Sequence, residues 1–207
     1  MASRDIIILG GGGHASVVEA TLDGGGRKLV GYAAPVASRM LEVPLLGDDS
    51  WLIAQDRSRY ILINGIGTVA VSERRAALFE KFTAAGFDFM TLVHGAASVS
   101  TSAVLSDGAQ VLAGAVIGPH TGIGRDVIVN MSVSVNHHCF LDDHAHVAPG
   151  AVICGCVTVG RNSFIGAGAT IIQGVTVGAG AMIAAGATVI SNVPDGGRVR
   201  GTPAEAF

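Results

Sequence analysis

Aromatic side chains are scarce in this chain: one Trp, two Tyr and seven Phe make up 5% of its 207 residues. That excludes a core of stacked rings, and it leaves no basic-aromatic stripe with which to read nucleic acid. Cysteine is scarcer still. Cys139, Cys154 and Cys156 are an odd and sparse set, which fits a reducing compartment better than a disulfide framework. Charge of one sign is lacking too: 13 Lys plus Arg against 16 Asp plus Glu leave a net charge of −3, with no basic arm. Long apolar runs are absent. Ile6 to Leu9 is too short for a signal peptide or a membrane span, and glycines follow it at once. A soluble, cytoplasmic protein is expected, without membrane insertion and without a nucleic-acid partner. What the chain does have is a 49% hydrophobic content and 30 glycines, so its core must bury Val, Ile and Ala.

The chain changes character near Val93. Before it, short apolar runs alternate with helix-like segments, as in a small α/β unit. Asp5 to Leu9 reads as a strand, Gly10 to Gly13 as a turn and His14 to Leu22 as a helix. Lys28 to Tyr32 and Tyr60 to Ile63 read as further strands, and Trp51 to Gln55 as a single helical turn. Ser72 suits the N-cap of a helix running to about Ala85, with Gly86 as its stop.

After Val93 the period is neither 2 nor 3.6. Aliphatic residues recur at every sixth position, from Val93, Val99 and Leu105 through to Val177, Ile183 and Val189. Four residues after each stands a small or β-branched one, such as Ala109, Ala115, Thr121, Cys139, Ser163 or Ala187. Glycine often directly follows the aliphatic residue, as at Gly118, Gly124, Gly160, Gly166 and Gly178. So strict a repeat is an architecture. Six residues form one flat face of a triangular prism and three faces one coil of 18, with the aliphatic side chain inside and glycine easing tight corners. Coils stacked like strands, at roughly 4.8 Å, give about five coils over roughly 25 Å. The expected organisation is an α/β domain over residues 1–90, a parallel β-helix over 91–193 and a tail over 194–207.

Gly10, Gly12 and Ala15 match the spacing G-x-G-x-x-A between a strand and a helix, a turn whose N–H groups suit phosphate. A dinucleotide fold also wants an acid closing the second strand. Here that strand ends Tyr32-Ala33-Ala34, and Asp23 comes too early. The diphosphate of a sugar nucleotide, held by Gly11, Gly12, Gly13 and His14, is the better expectation; a tight turn without ligand is the plain alternative.

The richest polar patch comprises Asn130, Asn136, His137, His138, Asp142, Asp143, His144 and His146. His137, Gly155 and Gln173 are successive residues 18 apart, hence at one site on consecutive coils. His120 and His138 are likewise 18 apart, and all three histidines should point outward. Acyl transfer to an amine needs a base for the proton and a donor for the oxyanion. A histidine suits the first and an unshielded glycine N–H the second, so His137 and Gly155 form a candidate pair. Solvated or hydrogen-bonded surface histidines are the alternative, His144 in particular.

The motifs Gly11-Gly12-Gly13-His14-Ala15, Gly47-Asp48-Asp49, Asn130, Asn136-His137-His138-Cys139, His146-Val147-Ala148-Pro149-Gly150 and the Val193-Pro194 to Gly201-Thr202-Pro203-Ala204 tail together resemble one family. It is that of the bacterial sialic acid O-acetyltransferase-like sugar acetyltransferases. The family includes N-acetyltransferases of nucleotide-linked 4-amino-4,6-dideoxy sugars, as in bacillosamine and perosamine synthesis. The resemblance implies a left-handed coil, a homotrimer, and acetyl-CoA as acyl donor, lying between adjacent prisms. It implies direct transfer, with His137 as catalytic base, His138 and Asn130 beside it, and Gly155 against the thioester. Gly11 to His14 and His146 would contact the sugar nucleotide, and Gly155, Gln173 and Ala185 the coenzyme A; no metal is implied. Cys139 falls at an inward corner, a place for core rather than for a nucleophile. Two departures stand out: the family usually has Asp or Glu where this chain has His138, and an acid near Ala33 and Ala34. Three rivals remain: O-acetylation of a sialic acid, a γ-carbonic-anhydrase-like zinc site of His120, His138 and His144, and sugar-nucleotide binding without catalysis.

Overall fold

The computed structural model describes residues 4–22 and 28–206. The chain forms two compact units: Met1–Gly67 with Arg74–Leu92, and Thr68–Glu73 with Val93–Phe207. In the first, strands β1 (Asp5–Leu9), β2 (Leu29–Ala33), β3 (Leu45–Gly47) and β4 (Tyr60–Asn64) pair in parallel in the order β3-β2-β1-β4. Helices α1 (Gly13–Thr21), α2 (Asp49–Ile53) and α3 (Arg74–Ala84) flank it.

The continuous apolar run of β1 follows from burial on both faces. Ile6 and Ile8 pack with Ala15, Val18 and Tyr32, whereas Ile7 and Leu9 pack with Leu52, Phe79 and Phe82. Strand β3 was not predicted, because three residues between Pro44 and Asp48 are too few to show a period. Asp48 caps α2, its carboxylate accepting from Trp51 N–H at 2.9 Å. Helix α3 begins at Arg74, slightly later than a Ser72 cap implies, and Gly86 (φ +85°) follows its end. Asp23 lies outside the described residues.

In the second unit two-residue strands repeat every six residues and pair in parallel with those 18 further on, as in Gly122↔Phe140↔Thr158↔Thr176. Three sheets result: the faces of the expected prism. The aliphatic second residue of each strand points inward, and Val111 to Val189 form one buried column with the small corner residues. Val93, expected inside, is 43% exposed because no coil precedes it. Beyond Pro194, where a tail was expected, Arg198–Arg200 adds a parallel strand to Met182–Ile183, and Glu205–Ala206 turns back antiparallel.

The corners work differently from the sequence expectation. From Leu105 to Ile183, left-handed backbone falls three residues after each aliphatic one, at Gly108, Gly114, His120, Asp126, Ser132, His138, His144 and onward to Gly186. The glycines that directly follow the aliphatic residue serve stacking instead. A Cβ on Gly118 would lie 2.7 Å from Asn136 C, and one on Gly124 2.7 Å from Asp143 N. Coils could not approach each other with side chains there.

Candidate active site

Asn136-His137-His138 turns one corner of the prism. The Asn136 side-chain oxygen accepts from His137 N–H at 2.8 Å, its carbonyl accepts from Thr121 Oγ1 at 2.7 Å, and Cys156 N–H donates to His137 O at 2.9 Å. This fixes the backbone while the His137 side chain stands exposed. Gly155 comes at the same site one coil later. A Cβ there would lie 2.5 Å from His137 Cε1 and 2.6 Å from Nε2, so the imidazole occupies the space that only glycine leaves.

The N–H of Gly155 has no acceptor among the described residues. At equivalent corners an Asn or Asp one residue earlier accepts this N–H: Asn130 from Met131, Asn136 from His137, Asp142 from Asp143. Before Gly155 stands Cys154, which has no such oxygen. A buried glycine thus offers a free donor beside a histidine ring, which suits a developing oxyanion.

His138, at φ +54°, sets its Nδ1 3.2 Å from His137 Nδ1, and its ring lies 4.9 Å from that of His120. Cys139 points inward as expected and donates its thiol to Cys154 O at 3.0 Å; burial pushes its pKa up, which disfavours a nucleophilic thiolate. Gln173 is exposed one coil beyond Gly155, with Gly174 N–H donating to Gly155 O at 3.0 Å.

Asn130 and His146 belong to a different corner and do not join His137 within this unit. Met131 N–H donates to Asn130 Oδ1 at 2.8 Å, so the amide nitrogen faces His146 Nε2, 3.4 Å away. His146 Nε2 must therefore accept, and Nδ1–H donates to Thr68 Oγ1 at 2.8 Å. Sequence reading missed Thr68; a partner 78 residues away leaves no local signal. Ala185 is exposed on the corner that carries Asn130.

His144 is not the surface residue expected. It is buried, with Nδ1 3.0 Å from Asp126 Oδ2 one coil away. The zinc trio is thereby split, since His120 and His138 are exposed, and among the described residues no group of three potential ligands is arranged for a metal. Nearby, Asp143 accepts from Arg125 N–H, Nε and a terminal guanidinium nitrogen at 2.7–3.0 Å. Burial works to raise the Asp143 pKa, but the Arg125 hydrogen bonds and charge outweigh it and hold the carboxyl below its usual range.

In the first unit, Gly10 (φ +90°) ends β1 and Gly12 precedes α1 with no side-chain cap and no acid in the first turn. Gly11 is hemmed in: a Cβ would lie 2.9 Å from Ser38 Cβ and 3.2 Å from the Tyr32 ring. Ser38 Oγ donates to Gly11 O at 2.6 Å. Cβ atoms on Gly12 and Gly13 would meet nothing within 4 Å, so these two residues face open space at a helix N-terminus. His14 packs on Gly67, where a Cβ would lie 2.7 Å from its own. The loop that holds Gly67 is braced by buried Arg75, which donates to Asn64 O and Ile66 O at 2.9 and 2.6 Å.

The second unit is thus a prism of hexapeptide coils with an outward histidine beside a glycine N–H on one corner. Residues 156–191 match the family model described as bacterial transferase hexapeptide (six repeats). The structure superposes on the acetyltransferase domain of PglB from Neisseria gonorrhoeae FA1090, solved with acetyl coenzyme A, at TM-score 0.93 and 31% identity over 100% of both chains. It matches PerB from Caulobacter crescentus, solved with CoA and GDP-perosamine, at TM-score 0.92 and 35% identity over 100% of this chain and 98% of that one. WeeI from Acinetobacter baumannii AYE shares the fold at TM-score 0.88 and 21% identity, over 99% of this chain and 100% of that one. The chain belongs to the left-handed β-helix, hexapeptide-repeat acetyltransferases related to the nucleotide-sugar N-acetyltransferases. Among the described residues no helix is long and apolar enough to cross a membrane.

Proposed function

We propose that this enzyme transfers the acetyl group of acetyl-CoA directly to the amino group of a nucleotide-linked amino-dideoxy sugar. The observation that carries the reading is the pairing of the exposed His137 ring with the free N–H of Gly155, on a chain whose relatives were solved with acetyl-CoA, CoA and GDP-perosamine. The amine nitrogen attacks the thioester carbonyl, and Gly155 N–H donates to the oxygen as it gains charge. His137 Nε2 takes the proton that the nitrogen sheds. The C–S bond then breaks, and the proton passes to the leaving sulfur. Asn130 and His146, which do not reach His137 within one chain, would serve the site from an adjacent copy of the trimer.

The open turn at Gly12 and Gly13, closed below by Gly11 and flanked by His14, suits the diphosphate. Coenzyme A lying between adjacent prisms would meet Gln173 on the His137 corner of one copy and Ala185 on the Asn130 corner of the next. A homotrimer fits the surface: exposed Val104, Val116, Phe140 and Val152 lie on the two sheets that meet at the His137 corner. Three copies around an axis would cover these side chains and close the ring.

The test is coenzyme A release from acetyl-CoA with a panel of UDP-, GDP- and TDP-linked amino sugars, beside CMP-sialic acid and free sialic acid. Turnover with at least one amino sugar, and product acetylated on nitrogen, is expected. Turnover confined to the sialic acids would replace the reading with O-acetylation.

A further inference from the structure

We infer that Thr68 is a positioning residue for acetyl transfer: its hydroxyl fixes the His146 ring and, through that ring, an Asn130 amide that presents N–H rather than C=O to the acyl donor. The inference rests on the proposed place of Asn130 and His146 in the site. It goes beyond that reading by giving Thr68 a task and Asn130 a polarity.

The segment Thr68–Glu73 folds with the second unit, although the chain on either side of it folds with the first. Its entry is fixed from behind, since Ile66 N–H donates to Asn64 Oδ1 at 3.2 Å and Arg75 donates to Ile66 O at 2.6 Å. Val69, next in the chain, is 92% exposed and buries nothing, so at this point the excursion is held by the Thr68 side chain. That side chain meets His146, whose backbone pairs with Ile128 on one adjacent coil and Phe164 on the other. The Phe164 ring stands edge-on to the imidazole, centroids 5.2 Å apart at 81°. Packing of this kind sets the plane of the ring. It does not choose which nitrogen carries the hydrogen.

That choice is made by a chain of hydrogen bonds. A threonine hydroxyl can donate or accept, so the direction is decided at the far end, where Met131 N–H donates to Asn130 Oδ1 at 2.8 Å. Asn130 Nδ2 then faces His146 Nε2 at 3.4 Å, Nε2 accepts, and Nδ1–H donates to Thr68 Oγ1 at 2.8 Å. Reversing the chain would set two donors against each other, either at Nε2 or, with the amide turned over, at Met131 N–H. Asn130 is partly exposed, and its amide has a second hydrogen to offer on the corner that also carries Ala185. Without the Thr68 oxygen, His146 Nδ1–H loses this acceptor, and the ring no longer has a reason to keep Nε2 bare for Asn130.

The experiment compares wild type, Thr68→Val and Thr68→Ser as full chains, by nitrogen-15 histidine NMR and by kcat and KM with acetyl-CoA and one confirmed nucleotide amino sugar; His146→Ala assigns the resonance. Valine keeps the shape of threonine and removes the acceptor, whereas serine keeps the acceptor and removes the methyl. The expected wild-type result is His146 with its hydrogen on Nδ1. Thr68→Val should give a mixed or Nε2–H tautomer and lower kcat about 10-fold, less than the roughly 10²-fold that a misplacement of 1 Å costs. KM for the sugar nucleotide should not change, and Thr68→Ser should restore both the tautomer and kcat. A residue that merely ties the loop down would lower thermal stability in Thr68→Val and leave kcat and the tautomer alone, which would overturn the inference. An Nε2–H tautomer in the wild type, or a loss that serine does not recover, would overturn it as well. Absence of wild-type turnover with every sugar would instead defeat the proposed function, and the tautomers of wild type and Thr68→Val would still decide whether Thr68 fixes the ring.

Discussion

A methyl group at position 155 would take the space that the His137 imidazole fills, which makes Gly155→Ala a sharp probe of the reacting corner. Gly155 does not need a positive φ, and the exposed His137 ring can swing into solvent. Thermal stability should therefore hold while turnover falls roughly 10²-fold, the scale on which a general base or an oxyanion donor contributes. A wild-type rate in a variant whose ring is shown to have moved would separate His137 from the chemistry. At this scale sequence reading had mixed reach. The pairing of His137 with Gly155 was legible because 18 residues make one coil. The free N–H was not, since it depends on Cys154 lacking the oxygen that Asn130, Asn136 and Asp142 supply at the other corners. Nor was the burial of His144, whose partner Asp126 stands one coil away in the same left-handed position.

Among the elements, α1 presents its N-terminus through two glycines whose missing side chains leave open space. Gly12→Leu should fold normally, because φ −89° suits any residue. It should raise KM for the sugar nucleotide several-fold with little change in kcat, as expected for lost ground-state binding. Unchanged constants would make the turn structural only. The Arg125–Asp143 contact ties two successive coils. Asp143→Ala should cost about 1–2 kcal/mol, below the usual worth of several charged hydrogen bonds because the guanidinium is partly exposed. With its folded pKa held low, Asp143 stabilises the coil fully above the unfolded carboxyl pKa of about 3.9, and less as pH falls through the folded value. Thermal melts of variant and wild type should differ at neutral pH and converge in strong acid. A gap that persists in acid would assign the effect to packing.

On the scale of the whole molecule, the hexad period foretold the prism and its interior, because a single rule governs every coil. The left-handed corners escaped that rule, since Gly, His, Asp, Ser, Cys and Asn all occupy them. The Thr68–His146 contact escaped too, as no period links residues so far apart. The proposed trimer is an assembly claim. Light scattering at micromolar concentration should give three times the chain mass, and Phe140→Lys, on the exposed face beside the His137 corner, should lower it.

The central claim is that His137 is the base for acetyl transfer to an amino sugar, and its most direct test is coenzyme A release by wild type and His137→Ala with one confirmed nucleotide amino sugar. The expected result is a correctly assembled, thermally stable variant with turnover lowered roughly 10²- to 10⁴-fold, and a smaller deficit at high pH where more of the amine is already deprotonated. Full activity in a folded His137→Ala enzyme would contradict it.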